Sequence, residues 1–162
     1  MTVVNSYCPV CNKEVETTEE DRVNVTKTIS NISYDSFARL NFMQKAYGML
    51  YELENLTRLI INKTMTKIYG IGWIIKAPLT KKYQSYKKDF SKFYLHELVS
   101  IINSYECLTI LFTSTEIRQV QSTFPIRNKI AHSKLITNNE FRKLLVALKI
   151  IKNVYLKIEN QI

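Results

Sequence analysis

Hydrophobic residues recur at intervals of three and four along most of the chain, which is the spacing of amphipathic helices. The first such stretch contains Phe37, Leu40, Met43, Tyr47, Leu50, Leu56, Ile60 and Ile61. This pattern predicts one long helix. Gly70 and Gly72 follow it and favour a left-handed helix end at that point. Residues 73–75, with the sequence Trp-Ile-Ile, are predicted to fill the core just beyond.

The same periodicity predicts further helices in the second half of the chain. Two core helices are expected over residues 93–102 and 108–120. Pro125 follows a serine and a threonine, and this order indicates the start of another helix because proline fits the first helical turn. The last helix is predicted over residues 138–158, with one of the two asparagines at its start as the cap.

The N-terminal part of the chain differs from the rest. Residues 1–33 are polar and acidic, and the β-branched cluster Val23–Thr28 indicates either a short β-ribbon or an extended arm. The whole chain contains only 3 glycines and 3 prolines, too few for the frequent turns of a β-sandwich or barrel. The predicted fold is therefore all-α, with a helical bundle over residues 34–162 and a short N-terminal extension over residues 1–33.

The chain is basic, and its positive charge is concentrated in one segment. The formal net charge is +9, and between residues 76 and 92 six lysines face one aspartate and alternate with aromatic residues. Lysines can follow a phosphate backbone and aromatic rings can stack on unpaired bases, so this segment predicts contact with RNA. The alternative is a solvated surface helix whose aromatic side chains face the core. The candidate RNA-binding residues are Lys81, Lys82, Lys87, Lys88 and Lys129.

Several classes of protein are not expected. No apolar run approaches the roughly 18 residues that a membrane span requires, so we expect neither an integral membrane protein nor a membrane partner. The first ten residues contain no Lys or Arg and no long apolar region, so no secretory signal is expected. The chain has 3 cysteines, and this low, odd number argues against a disulfide framework. We therefore expect a cytoplasmic protein.

Cys8 and Cys11 form a CxxC pair of the kind found in zinc ribbons, where thiolates complete a tetrahedral metal site. They supply only half of such a site. Cys107 is the one other cysteine, and His96 is a further imidazole. A structural zinc shared between subunits, a zinc held together with Cys107, and a ribbon without metal are the alternatives. His96 by itself is expected to be a surface or capping histidine.

The candidate catalytic residues lie between residues 125 and 132, which read Pro-Ile-Arg-Asn-Lys-Ile-Ala-His. Four residues separate Arg127 from His132. A neutral imidazole can take the proton from a ribose 2′-hydroxyl or give one to the leaving oxygen. A guanidinium can hold the scissile phosphate by two bonds and offset the charge that grows in the transition state. This pair is therefore suited to cleaving RNA without a metal ion.

The same stretch resembles the Arg-x4-6-His signature of HEPN domains. The resemblance covers about residues 37–158 and extends to residues 51–56, Tyr69, Trp73, residues 94–102 and residues 125–132. It implies a helical bundle that is a metal-independent endoribonuclease, usually a homodimer in which two Arg/His pairs face a shared cleft, and it needs no cofactor. It also implies a toxin or phage-defence effector with an antitoxin or another regulatory protein as a partner. Lys134 stands where partner-silenced toxins of this family carry a tyrosine, so inhibition by tyrosine modification is not expected.

Helix geometry qualifies the catalytic interpretation. Five residues along an ideal helix turn through about 500°, so Arg127 and His132 lie roughly 140° apart around the axis. Asn128 and His132 are four residues apart and share a face, so Asn128 is a third candidate that orients the imidazole or contacts the phosphate. The alternative function is a catalytically inactive HEPN module for dimerisation or for binding RNA or protein. A DNA-binding regulator with a CxxC arm is a third hypothesis.

Overall fold

The computed structural model describes residues 3–7, 14–18, 34–78 and 89–160. The chain divides into two compact units, Met1–Phe42 and Met43–Ile162. The division falls inside the first helix, α1 (Tyr34–Tyr69), and not at residue 33, where the sequence placed the domain boundary. No observation tests whether residues 34–162 fold on their own, so that boundary stays a prediction.

The first unit contains a two-stranded antiparallel ribbon. Strand β1 (Val3–Tyr7) pairs with β2 (Glu14–Thr18), and Val3 lies opposite Thr18. A β-ribbon was predicted for the N-terminal extension, but from a different segment. Val23–Thr28, which carried that prediction, lies outside the described residues.

The described residues of the second unit form an all-α structure, as predicted. After α1 come the helices α2 (Trp73–Lys76), α3 (Leu95–Ser104), α4 (Glu106–Thr109), α5 (Ser114–Gln121), α6 (Phe124–Ala131) and α7 (Asn138–Glu159), and a single 3-10 turn, Phe90–Lys92, precedes α3. Helix α5 packs against α7, and α3 packs against both α4 and α5. Among the described residues, no helix combines the length and the hydropathy needed to cross a bilayer.

The core consists of one face of each long helix. Side chains with a relative exposure below 2% include Leu53, Ile60, Ile61, Met65, Leu95, Leu98, Ile101, Ile102, Leu108, Ile126, Leu144 and Ile151. Burying an aliphatic side chain of this size contributes about 1.5–3 kcal/mol, so these residues supply most of the driving force for packing. Helices α1 and α3 supply eight of these twelve side chains.

The end of α1 confirms the predicted glycine turn. Gly70 and Gly72 have φ angles of 79° and 80°, and a left-handed backbone suits residues without a Cβ. Trp73 is buried as predicted, and its indole N–H donates to Asn62 Oδ1 at 3.0 Å. Ile75 does not fill the core, since it is 87% exposed. The reason is that α2 is a single turn, so only one side of it can face the bundle.

Two predicted helix boundaries were wrong. Residues 108–120 do not form one helix, because Thr113 and Glu116 form a capping box that starts α5. The cap of α7 is Thr137 and not Asn138 or Asn139. Thr137 Oγ1 accepts from the Glu140 N–H at 3.2 Å, and the Glu140 carboxylate accepts from the Thr137 N–H at 2.8 Å. Both corrections involve the same Thr-x-x-Glu sequence.

Candidate functional site

Helix α6 carries all three candidate catalytic residues, and two isoleucines fix its orientation. Ile126 and Ile130 are 2% and 7% exposed, so they anchor one face of α6 in the core, as expected from their spacing of four. The helix starts after Thr123 and has a proline in its first turn, as predicted. With that face buried, Arg127 is half-buried at the edge of the core and Asn128 is exposed.

Two side chains from other parts of the fold hold the Arg127 guanidinium. Arg127 Nε lies 3.5 Å from Glu54 Oε1 on α1, and the guanidinium carbon lies 4.5 Å from the centre of the Tyr94 ring, over its face. The ion pair and the cation–ring contact fix where the guanidinium lies. Its side chain donates no hydrogen bond to another described residue. The N–H donors of Arg127 are thus oriented and still available to an anion.

The Glu54 carboxylate forms ion pairs with two arginines. Its second oxygen, Oε2, lies 3.5 Å from Arg58 Nη2, which also donates to the Phe93 carbonyl at 2.6 Å. The side chains of Glu54, Arg58 and Arg127 are only 17%, 19% and 23% exposed. Glu54 Oε1 and Arg58 Nε are buried without a hydrogen-bond partner. One carboxylate therefore faces two cations, and this cluster keeps a net positive charge beside α6.

Two open cavities meet at Arg127. The first has a volume of about 320 Å³ and lies between α1 and α6, where Tyr47, Tyr51 and Glu54 line it together with Arg127. The second has a volume of about 300 Å³ and is lined by Leu95, His96, Phe124, Arg127 and Asn128. Arg127 is thus a lining residue of both cavities.

His132 lies at the end of the same helix in different surroundings. It is the C-cap of α6, and its backbone N–H donates to the Asn128 carbonyl at 3.1 Å. The last turn of α6 thus continues to His132. His132 is exposed, and its imidazole forms no hydrogen bond or ion pair with a described residue. Within one chain, Asn128 and His132 are both exposed and one helical turn apart, whereas Arg127 is half-buried between Glu54 and Tyr94.

Lys129 forms an ion pair within the fold. Its ammonium donates to Glu140 Oε1 at 2.6 Å, and its side chain remains 42% exposed. This ion pair ties α6 to the first turn of α7. The ammonium hydrogen bond, together with the Thr137 N–H, holds the pKa of the Glu140 carboxyl below its ordinary value. Any contact between Lys129 and RNA competes with this pair.

The Lys129–Glu140 pair predicts a pH-dependent contribution to stability. A carboxyl whose pKa is lower in the folded state stabilises the fold above its unfolded pKa of about 4.3, and this stabilisation is lost as the pH falls through the lower folded value. We expect the stability difference between the wild type and Glu140→Gln to be full near pH 7 and to shrink below about pH 4. Urea unfolding over this pH range measures it. A stability difference that does not change with pH would contradict the lowered pKa of Glu140. As a control, Lys129→Met removes the ammonium that lowers this pKa, so it is expected to remove most of the pH dependence.

The other predicted binding residues are four lysines for RNA and two cysteines for a metal ion. Lys81, Lys82, Lys87 and Lys88, like Cys8 and Cys11, lie outside the described residues. Cys107 lies beside Met65, with 3.8 Å between the two sulfur atoms, and burial raises the pKa of its thiol. Among the described residues, no three His, Cys, Asp or Glu side chains are grouped so that they can hold a metal ion.

Sequence reasoning did not assign roles to three residues that surround Arg127. Glu54 had a signal, since it is a charged residue among the apolar positions of α1. Tyr94 had no signal of its own, since it lies outside the apolar period of its helix, and it is 47% exposed. His96 was expected to be a surface histidine and is exposed, but it also lines a cavity together with Arg127 and Asn128.

Comparisons of the chain with protein-family models, with curated protein sequences and with solved structures found no match. The function is therefore inferred from the residues of the chain and from their geometry.

Proposed function

We propose that the chain is a HEPN-type, metal-independent endoribonuclease that acts as a toxin or phage-defence effector. The observation that carries this proposal is the Arg127 guanidinium. Glu54 and Tyr94 orient it, its N–H groups donate no hydrogen bond to a described residue, and Arg127 lines two cavities. A planar, oriented fork of N–H donors is the group best suited to binding a phosphate by two bonds.

In the proposed reaction, Arg127 binds the nonbridging oxygens of the scissile phosphate and offsets their growing negative charge. The His132 imidazole accepts the proton of the ribose 2′-hydroxyl as that oxygen attacks phosphorus. The bond from phosphorus to the 5′ oxygen breaks, and this oxygen takes a proton from a second group or from water as it leaves. The products are a 2′,3′-cyclic phosphate and a 5′-hydroxyl end. Asn128, one turn before His132, orients the imidazole or contacts the phosphate.

The exposure of His132 is consistent with a proposed homodimer. An imidazole at the end of α6 can reach a phosphate that is held by Arg127 of the same chain or by that of a second copy. In the proposed assembly, two copies of α6 face one cleft and enclose the RNA. The net positive charge of the chain, +9, favours a polyanionic substrate in such a cleft.

A second function, that of a catalytically inactive HEPN module, is favoured by one observation. The Arg127 guanidinium is paired with Glu54, and a carboxylate at 3.5 Å already offsets part of its charge. In this alternative, Arg127 ties α6 to α1 and the exposed surface around His132 only binds RNA or a protein. A nuclease cleaves the RNA that it binds, whereas an inactive module leaves this RNA intact.

The test uses the purified full chain with single-stranded RNA in the presence of excess EDTA. We expect cleavage that EDTA does not reduce, because the proposed chemistry uses only side chains, and we expect products that end in a cyclic phosphate. RNA whose scissile 2′-hydroxyl is replaced by hydrogen should remain intact, because it lacks the nucleophile. Equal cleavage of that substrate would overturn the mechanism.

Two further outcomes point to the other functions. RNA that is bound but left intact would establish the inactive module in place of the nuclease. Preferential binding to duplex DNA with a steep salt dependence would favour the DNA-binding regulator.

A further inference from the structure

Cleavage of RNA by its own 2′-hydroxyl requires two proton transfers at opposite sides of phosphorus. The attacking 2′ oxygen and the leaving 5′ oxygen lie roughly in line through the phosphorus atom. An imidazole placed to take the proton from one oxygen is therefore badly placed to give a proton to the other. If His132 acts on the 2′-hydroxyl, a different group serves the leaving oxygen. The chain contains only 2 histidines, His96 and His132.

His96 and Asn128 belong to different helices but line the same cavity. His96 lies in the first turn of α3, and Arg127, the residue proposed above to bind the phosphate, also lines this cavity of about 300 Å³. His132 follows Asn128 by one helical turn, and its backbone N–H donates to the Asn128 carbonyl. Asn128 is thus the residue that shares a cavity with His96 and a helical turn with His132.

Two aromatic rings fix the His96 imidazole at the wall of this cavity. It stacks on Tyr94 with ring centres 6.1 Å apart and planes inclined by 23°, and it meets Phe124 edge to face at 6.4 Å. A ring held on two sides keeps its orientation, which proton transfer needs.

We propose that His96 is a second catalytic residue that donates a proton to the leaving 5′ oxygen. This inference rests on the proposed ribonuclease function. In the full step, the 2′-hydroxyl proton passes to His132, the 2′ oxygen forms a bond to phosphorus, and the bond to the 5′ oxygen breaks as this oxygen takes the His96 proton. One proton is taken up and one is released, so the cyclic phosphate and the 5′-hydroxyl form without a co-reactant.

The test compares two leaving groups in the same strand. A DNA strand with one ribonucleotide at the wild-type cleavage position carries either oxygen or sulfur at the scissile 5′ position. Because a thiol is far more acidic than an alcohol, a sulfur leaving group departs without being protonated. His96→Ala is expected to slow cleavage of the oxygen strand by about 100-fold or more, and that of the sulfur strand by no more than about threefold.

A positioning role for His96 predicts a different result. Loss of its stacking on Tyr94 would disturb Arg127 and slow both strands equally, and this outcome would overturn the proposal. Unchanged cleavage of both strands by His96→Ala would overturn it as well. His96→Phe keeps an aromatic ring in place but carries no proton, so it is expected to show the same sulfur rescue as His96→Ala. If the wild type leaves both strands intact, the ribonuclease function itself fails.

Discussion

Replacing His132 by alanine is expected to slow RNA cleavage by about 10²- to 10⁴-fold, the usual contribution of a positioned general base. The imidazole is exposed and forms no hydrogen bond or ion pair with a described residue. The free energy of unfolding should therefore change by less than about 0.5 kcal/mol. Single-turnover rates on single-stranded RNA and urea unfolding of the same preparation measure the two quantities. Lost cleavage with unchanged stability separates a chemical role from a structural one.

Arginine variants supply the matched comparison for His132→Ala. Arg127→Ala is expected to reduce both cleavage and RNA affinity, because it removes the phosphate-binding fork. Arg142→Ala removes the same side chain from an exposed position on α7 and should leave the cleavage rate nearly unchanged. If His132→Ala cleaves RNA like the wild type, the imidazole is not the base, and the binding module becomes the better description.

The long helices could be predicted from the sequence because their apolar spacing persists over many turns. Helix α7 and the part of α1 from Leu50 onward bury one apolar face, so the period of the sequence and the geometry of the fold agree there. At the start of α1 the prediction was wrong, since Phe37, Leu40 and Tyr47 are 69%, 51% and 60% exposed. The short elements were harder to predict. Residues 108–120 keep a helical spacing, but the capping box at Thr113 interrupts them. The Thr-x-x-Glu signal is local and was present in the sequence, so both misplaced boundaries had a readable cause.

In the candidate site, too, the local arrangement could be predicted from the sequence and the tertiary contacts could not. Arg127, Asn128 and His132 are close together in sequence, and the spacing of four between Asn128 and His132 predicts one helical turn, which the hydrogen bond from the His132 backbone N–H to the Asn128 carbonyl confirms. The surroundings of Arg127 come from tertiary packing. Glu54 reaches it from α1 and Tyr94 from the start of α3, and no periodicity in the sequence brings these segments together. The charge of Glu54 among apolar positions was the one sequence signal for this cluster.

Replacing Glu54 by alanine is expected to lower the free energy of unfolding by about 3 kcal/mol. The carboxylate is the partner of both Arg58 and Arg127, and Arg58 Nε is buried without a hydrogen-bond partner. Its removal leaves two largely buried guanidinium groups facing each other, and an uncompensated buried charge costs more than a buried ion pair contributes. Urea unfolding measures the loss. Cleavage should also fall, because Arg127 loses one of the two contacts that orient it.

Glu52 provides the matched control on the same helix. It forms an ion pair with Lys152 at 2.7 Å, which is shorter than the 3.5 Å between Glu54 and Arg127, but its two side chains are 44% and 47% exposed. Distance alone would rank the Glu52 pair as the stronger one. Burial reverses that order, because water and salt screen an exposed pair, so Glu52→Ala is expected to cost only about 0.5 kcal/mol. Equal losses in the two variants would mean that the Glu54 cluster is as well hydrated as a surface pair, and that Arg127 is not held in place by a desolvated carboxylate.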